Sequence, residues 1–228
     1  MGPVAMKGEA RDGSAPRGPL SVQLRFATGL TSEEYVRQKG WQFATLKQCP
    51  LHPEGGCGFA RHTPYTRVEP PGAQVARFYC PDGHTTFSML PDCLASRLSG
   101  SLEDVERVCT EVEGRHQSLE ATAERLRPDI QLQGALRWVR RRVGAVVGAL
   151  VAIVGLRPDL FAGRQPSLEN FRSVLGVEHV LPALRETVAR YLAGLPPPLG
   201  FGPPARRRGR APPRFQQKTG ADPPRGLA

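Results

Sequence analysis

The spacing of apolar residues changes along this chain, and the change divides it. Residues 61–68 and 74–79 suit two strands, joined by a turn at Pro70, Pro71 and Gly72. Phe87, Met89 and Leu90 predict one more strand paired with that hairpin, stopped by Pro91. From residue 101 the period becomes helical. Leu102, Val105, Val108, Cys109 and Val112 repeat at three and four behind a Ser101 N-cap, with Asp104 at the capping-box position. Residues 114–117 break this helix. Ser118 caps a second short one to Leu126, and Arg127, Pro128 and Asp129 turn the chain. A third helix starts near Leu132 and runs to Leu156. Residues 158–166 read as a loop. Ser167 caps a helix to Leu175 that Gly176 closes. Residues 180–195 predict a last amphipathic helix, with Leu181, Leu184, Val188, Leu192 and Leu195 inward, ended by Pro196, Pro197 and Pro198. Ahead of the hairpin, residues 31–39 predict a short helix capped by Thr31. Trp41, Phe43 and Leu46 are expected to pack on the hairpin.

The third helix has two parts. Its residues 143–156 carry no charge, but a membrane span needs roughly 20 such residues, so no membrane segment is expected. Val139, Val143, Val146, Leu150 and Ile153 alternate steps of four and three, which predicts a packing seam and a homodimer as one use of it. The first part carries Arg137, Arg140, Arg141 and Arg142 beside Trp138, with Arg137 and Arg141 on one face.

Charge sharpens this picture. The net charge of +10 is uneven: residues 196–228 hold seven basic residues and one acidic, so this tail carries six of the ten charges. Residues 31–195 are nearly balanced, so any basic surface there must come from local clustering. An excess of positive charge favours nucleic acid or an anionic membrane as partner. Glycine and proline (25 and 23 residues) gather at the ends and in the hairpin region, which predicts a compact middle between disordered termini at 1–30 and 196–228. The first 20 residues lack an apolar run, so no cleavable signal is expected and a cytoplasmic, nucleoid-associated location follows.

Five cysteines cluster with histidines, which favours metal over disulfides. Cys49 and Cys57 precede the hairpin; Cys80 and His84 follow its second strand. Thiolate and imidazole donors at two turns flanking a hairpin can close a tetrahedron around a structural Zn²⁺, the layout of a zinc ribbon. The preferred set is Cys49, Cys57, Cys80 and His84. His52 can stand in for Cys57, and His62 is a further alternate. Cys93 and Cys109 are expected as core residues. No nucleotide-binding loop, nucleophile elbow or zinc-protease pair occurs, so no enzyme is expected. Glu54 is expected as a solvated loop residue.

The fold expected is therefore α+β and mostly α. A zinc-ribbon-like unit over 31–98 precedes a helical unit over 99–195. The stretch RFYCPDGHTTFSMLPDCLASRLSGSLEDVE resembles the ribbon-to-helix junction of insertion-sequence transposases. The segments 118–126 and 131–142, with LRWVRRR, resemble their helix-turn-helix. The resemblance covers about residues 45–145. In this chain the first turn carries an insertion and the second uses histidine where the family pairs cysteines. The acidic residues after Ala145 are only Asp159, Glu169, Glu178, Glu186 and Asp222, without the strand pattern of a two-metal nuclease core. The resemblance implies a double-stranded-DNA-binding protein without nuclease chemistry, a mobile-element accessory or regulator with a recombinase or transposase as partner. Gln131, Gln133 and Arg137 are then base-edge candidates, because recognition helices present their N-terminal residues to bases. Arg140, Arg141, Arg142 and the tail residues Arg206, Arg207 and Arg208 are phosphate candidates. A structural or protein-interaction module and an RNA binder are the competing expectations.

Overall fold

The computed structural model describes residues 20–114 and 118–202. Of the described residues 43% are helical and 16% strand, an α+β fold that is mostly α. It builds one four-stranded sheet and a set of helices behind it.

The sheet has the order β1–β4–β3–β2. β2 (Ala60–Thr66), β3 (Gln74–Cys80) and β4 (Thr85–Pro91) form the expected antiparallel meander, with Phe78 opposite Phe87 and Cys80 opposite Thr85. β2 lies at the sheet's edge and its pairing register shifts between His62 and Tyr65, which accommodates Pro64, a residue unable to donate to a ladder. β1 (Leu20–Phe26) corrects the expectation of disorder through residue 30. It runs parallel to β4, with Leu24 opposite Met89. Val22, Leu24 and Phe26 alternate with Gln23 and Arg25, but the partner strand is more than 60 residues away and no local turn announces it. Arg25 fixes the strand further, donating to both carboxylate oxygens of Asp92 at 2.9 and 3.0 Å and pairing with Glu186.

α1 (Ser32–Arg37) starts at a complete capping box: the Thr31 hydroxyl accepts from the Glu34 N–H, and the Glu34 carboxylate accepts from the Thr31 N–H. It presents Tyr35 to the sheet, where the phenol donates to the Gln74 carbonyl at 2.9 Å and the ring meets Trp41 edge-on. Trp41 packs as expected, whereas Phe43 is 68% exposed. Phe59 takes up the aromatic contact instead, stacked on Phe78 and edge-on to Phe87.

Behind the sheet, α2 (Leu102–Glu113) and α3 (Leu119–Leu126) pack on α4 (Leu132–Leu156). Ser101 and Asp104 form the expected box, and the Ser118 hydroxyl caps α3. α4 is the strut of this layer. Its first half closes a small core with Val108, Val112 and Ala123; its second half, through Val146, Ala149, Leu150 and Ile153, enters the main helical core. The seam predicted for a partner helix is thus filled from within the chain. What α4 leaves exposed is another apolar line, with Val147 at 40% and Val151 at 54%. No helix among the described residues is long and apolar enough to cross a membrane.

The segment expected as a loop after α4 contains α5 (Pro158–Phe161), whose Phe161 is buried and stacks on Phe171 of α6 (Leu168–Leu175) at 4.1 Å between ring centres. α6 ends, as expected, on Gly176 in the left-handed conformation. α7 (Val180–Thr187) is shorter than predicted and passes into a 3₁₀ turn, Ala189–Tyr191. It has no side-chain cap of its own. Glu106 of α2 supplies one: its carboxylate accepts from the Val180 and Leu181 N–H groups at 2.9 and 2.8 Å and from Arg172 at 2.9 Å. A buried carboxylate at a helix N-terminus is favoured by the exposed amide dipoles there.

The sheet and the helices meet at residues 91–101, an irregular segment with several buried carbonyls. Arginines satisfy them. Arg185, 1% exposed, donates to the carbonyls of Asp92 (3.0 Å), Leu94 (2.6 Å), Pro198 (2.6 Å) and Leu199 (3.1 Å). Arg67 donates to those of Ala95 and Leu98. The fold also continues past the prolines expected to end it. Pro197, Pro198, Leu199 and Gly200 are buried, and the Ser96 N–H donates to the Pro198 carbonyl at 2.9 Å. The prolines enter a turn over residues 197–199, closed by the Gly200 N–H donating to the Pro196 carbonyl at 2.9 Å, and this turn lies along the junction.

Candidate metal centre and basic face

Between the 3₁₀ turn Gly40–Gln42 and β2 the chain has no regular structure, and it is this segment that carries Cys49, His52 and Cys57. Cys80 is the last residue of β3. These four bring one sulfur or nitrogen each to within 4.8 Å of one another, close enough to hold a metal ion. The His52 Nδ1 lies 3.6 Å from the Cys49 sulfur and 3.3 Å from the Cys80 sulfur. A tetrahedron around Zn²⁺ has sulfur–sulfur edges of about 3.8 Å, given Zn–S bonds near 2.3 Å, so the donors stand near their places. The three cysteines are buried and His52 is half-buried.

Local backbone shapes the site. In Cys49-Pro50-Leu51-His52 the His52 N–H donates to the Cys49 carbonyl at 3.2 Å, a tight turn that carries the imidazole back over the thiol. After Cys80 the Gly83 N–H donates to the Cys80 sulfur at 3.3 Å. Gly58, next to Cys57, has φ +64° and lies against Pro81, a turn that a side chain would strain. The thiols differ in acidity. Burial raises the Cys49 pKa, but hydrogen bonds from His52 and from the backbone of residues 51 and 52 outweigh it, and the pKa falls to about 7. Cys57 is held above the ordinary thiol value by burial, with the Cys49 and Cys80 thiols adding to it. One partly ionised thiol among three is the donor chemistry that a divalent metal completes.

The sequence favoured His84 as the fourth ligand, with His52 as a substitute for Cys57; the structure corrects this and brings His52 to all three cysteines. His84 lies outside the group: it is exposed, sits at φ +44° and has its Nδ1 3.4 Å from the Tyr79 hydroxyl. His62 is exposed on β2, edge-on to Tyr79 at 6.2 Å. The spacing Cys49-x-x-His52 is a signal for this set, and Cys80-x-x-x-His84 is a competing one of equal strength in the sequence. Glu54 is exposed and not among the donors. With four protein donors the site is closed, which suits structural and not catalytic metal. Cys93 and Cys109 lie apart from it. Burial pushes both thiols up to about 12, and Cys109 belongs to the helical core as expected.

The basic residues of α4 divide by burial. Gln131, at the N-cap of α4 without a side-chain capping bond, is exposed, as are Gln133, Arg137, Arg140 and Arg141. Arg141 also donates to the Arg97 carbonyl at 3.1 Å. Arg142 is different. It is 4% exposed, donates to the carbonyl and hydroxyl of Ser99 at 3.0 Å, and lies 3.7 Å over the Trp138 ring. That places it in the junction and not on the outer face. Burial drops its pKa to about 10. Arg127 covers Trp138 too, at 5.2 Å. The tail residues Arg206, Arg207 and Arg208 lie outside the described residues. The chain matches no family model, no curated protein and no solved structure.

Proposed function

We propose that this protein binds double-stranded DNA through the exposed N-terminal half of α4, on a fold stiffened by structural zinc. One observation carries the DNA reading. Gln131, Gln133, Arg137, Arg140 and Arg141 are all exposed, and none of the three arginines is ion-paired with a carboxylate among the described residues. The glutamates of α2 that could have neutralised them are used elsewhere. Glu106 caps α7, Glu111 pairs with Arg125 at 2.8 Å, and Glu113 accepts from the Leu168 N–H at 3.1 Å. α3 and α4, joined by five residues, supply the two helices of a helix-turn-helix in which α4 enters the major groove. Zinc is the metal of choice because three thiolates and an imidazole suit it, and because the irregular segment 43–59 has little core of its own. A role as accessory or regulator of a mobile element, with a recombinase as partner, follows from the transposase resemblance. A second reading, self-association through α4, draws on the exposed Val147 and Val151 beside Gly144 and Gly148, where added side chains would meet nothing.

The test is anisotropy of a labelled duplex with full-length protein at several salt concentrations, after selection of a preferred site from a random pool. Gln133→Ala is expected to relax preference at one position, by roughly 1–3 kcal/mol of lost discrimination if it contacts adenine. Arg140→Ala is expected to weaken all sequences alike and reduce the salt slope by about one. Absence of duplex binding at low salt sinks the DNA reading; a dimeric mass by light scattering, lost on Val151→Asp, then puts self-association in its place.

A further inference from the structure

Beside the exposed face of α4 lies a cleft of about 580 Å³ that the sequence did not announce. Its wall is Arg137, Trp138, Arg141 and Arg142 of α4; the opposite wall is the junction segment, with Arg97 and Ser99. Four guanidinium groups therefore converge on one hollow from two parts of the chain 40 residues apart. No aspartate or glutamate lines it. Several arginines elsewhere are ion-paired: Arg25 with Asp92, Arg127 with Asp129, Arg157 with Asp159, Arg172 with Glu106. None of the cleft's four has a carboxylate partner among the described residues. The charge of Glu69 reaches Arg142 from outside the cleft and acts against the charges of Arg127 and Arg141.

The cleft is built rather than incidental. The Arg97 backbone is held at φ +54°, an uncommon conformation for a non-glycine residue. Its carbonyl is fixed by Arg141, and the neighbouring Ser99 is fixed by Arg142. Among the described residues the Arg97 guanidinium reaches only the Phe201 carbonyl, at a long 3.4 Å. Arg137 makes no hydrogen bond or ion pair among the described residues. Arg142 is thus committed to shaping the wall, Arg141 spends a single donor on it, and Arg97 and Arg137 are left with most of their donors unspent.

We propose that this cleft seats a phosphate group of the DNA backbone, gripped by Arg97, Arg137 and Arg141 above a fixed positive floor at Arg142. The inference rests on the DNA reading for the source of the phosphate. Planar guanidinium forks match a phosphate's oxygens in pairs, and several forks around one hollow can ligate it from different sides. The placement along α4 fits. At 1.5 Å per residue, Arg137 and Arg141 lie about 9 and 15 Å along the axis from Gln131, and the major groove is about 12 Å wide. With the first turn of α4 at the base edges, these two arginines reach the groove's flanking backbone. Arg137 then positions the helix and reads no base.

The test uses full-length protein carrying Arg97→Gln and Arg137→Gln together, two exposed residues whose loss leaves the junction's Arg142 bonds intact. Melting temperature checks the fold. Two probes are titrated: a labelled 30-base-pair duplex, and inorganic pyrophosphate followed by ³¹P line width. The expected result is duplex binding weakened about 10- to 100-fold for all sequences, a salt slope lower by about 0.9, and pyrophosphate binding lost. Duplex binding with parental affinity and slope in the double variant overturns the seat and leaves the DNA reading standing. Pyrophosphate binding abolished by the variant, without duplex binding by the parent, keeps the seat with free phosphate as its source and removes the DNA reading. Binding of neither probe by the parent overturns both.

Discussion

Replacing His52 and His84 in turn separates the two ligand sets that the chain allows. His52→Ala removes the Nδ1 that stands 3.6 and 3.3 Å from two of the sulfurs. Structural zinc sites contribute about 10–16 kcal/mol of apparent binding free energy at neutral pH. Shared over four donors, one ligand is worth roughly 3 kcal/mol, or about two orders of magnitude in Kd. Three thiolates remain and water can fill the vacated position, so the metal should bind about 100-fold more weakly rather than not at all. His84→Asn is the matched control. It removes an imidazole whose one polar contact among the described residues is the Tyr79 hydroxyl, and asparagine tolerates the positive φ at this position. Its effect on Kd should be under about 0.5 kcal/mol, the usual size for a surface substitution. The assay is competition for zinc against a chromophoric chelator at pH 7, with elemental analysis of each purified protein and melting before and after chelation. Parental affinity in His52→Ala, or a 100-fold loss in His84→Asn, refutes the assignment of His52 as the fourth donor.

Two further outcomes follow from the packing and the helix caps. Arg185→Met leaves the carbonyls of residues 92, 94 and 199 without their side-chain donor, while that of Pro198 keeps only the Ser96 N–H, so urea unfolding should show a loss of about 3 kcal/mol or more; a loss under about 1 kcal/mol contradicts its role at the junction. Asp104 carries a pH dependence. Burial opposes its charge, but hydrogen bonds from Ser101 and Arg107 outweigh burial and hold its pKa below the ordinary 3.8. A lowered folded pKa adds stability above the unfolded value, and that stability is lost as pH falls through the folded value. Asp104→Asn should therefore cost about 1 kcal/mol at pH 7, and the gap to the parent should close below pH 3.8; a gap that persists at pH 2 rules out the charged cap.

What the sequence determined is what acts over a few residues. Ser101 with Asp104, Ser118, Ser167 and Gly176 set helix ends because each cap bonds to a backbone group within one turn. The hairpin of β2 and β3 and the strand after it were legible for the same reason. So were Cys49, Cys57 and Cys80, whose residue types allow few roles when clustered. The rest required the chain to fold back on itself. β1 exists because β4 offers it a free edge, and nothing within residues 20–26 encodes that partner. The fourth ligand depends on where a turn aims an imidazole: Cys49-x-x-His52 and Cys80-x-x-x-His84 are both usable spacings, and only the approach of the two loops brings His52 to the Cys80 sulfur. Along α4, the seam of valines was correctly read as apolar, but a helix does not record whether a neighbour or its own chain will cover it. Burial likewise separated Arg142 from Arg137, Arg140 and Arg141, four similar letters in a row of six. It did so because residues 91–101, left with unpaired carbonyls at the meeting of sheet and helices, take the nearest guanidiniums as donors.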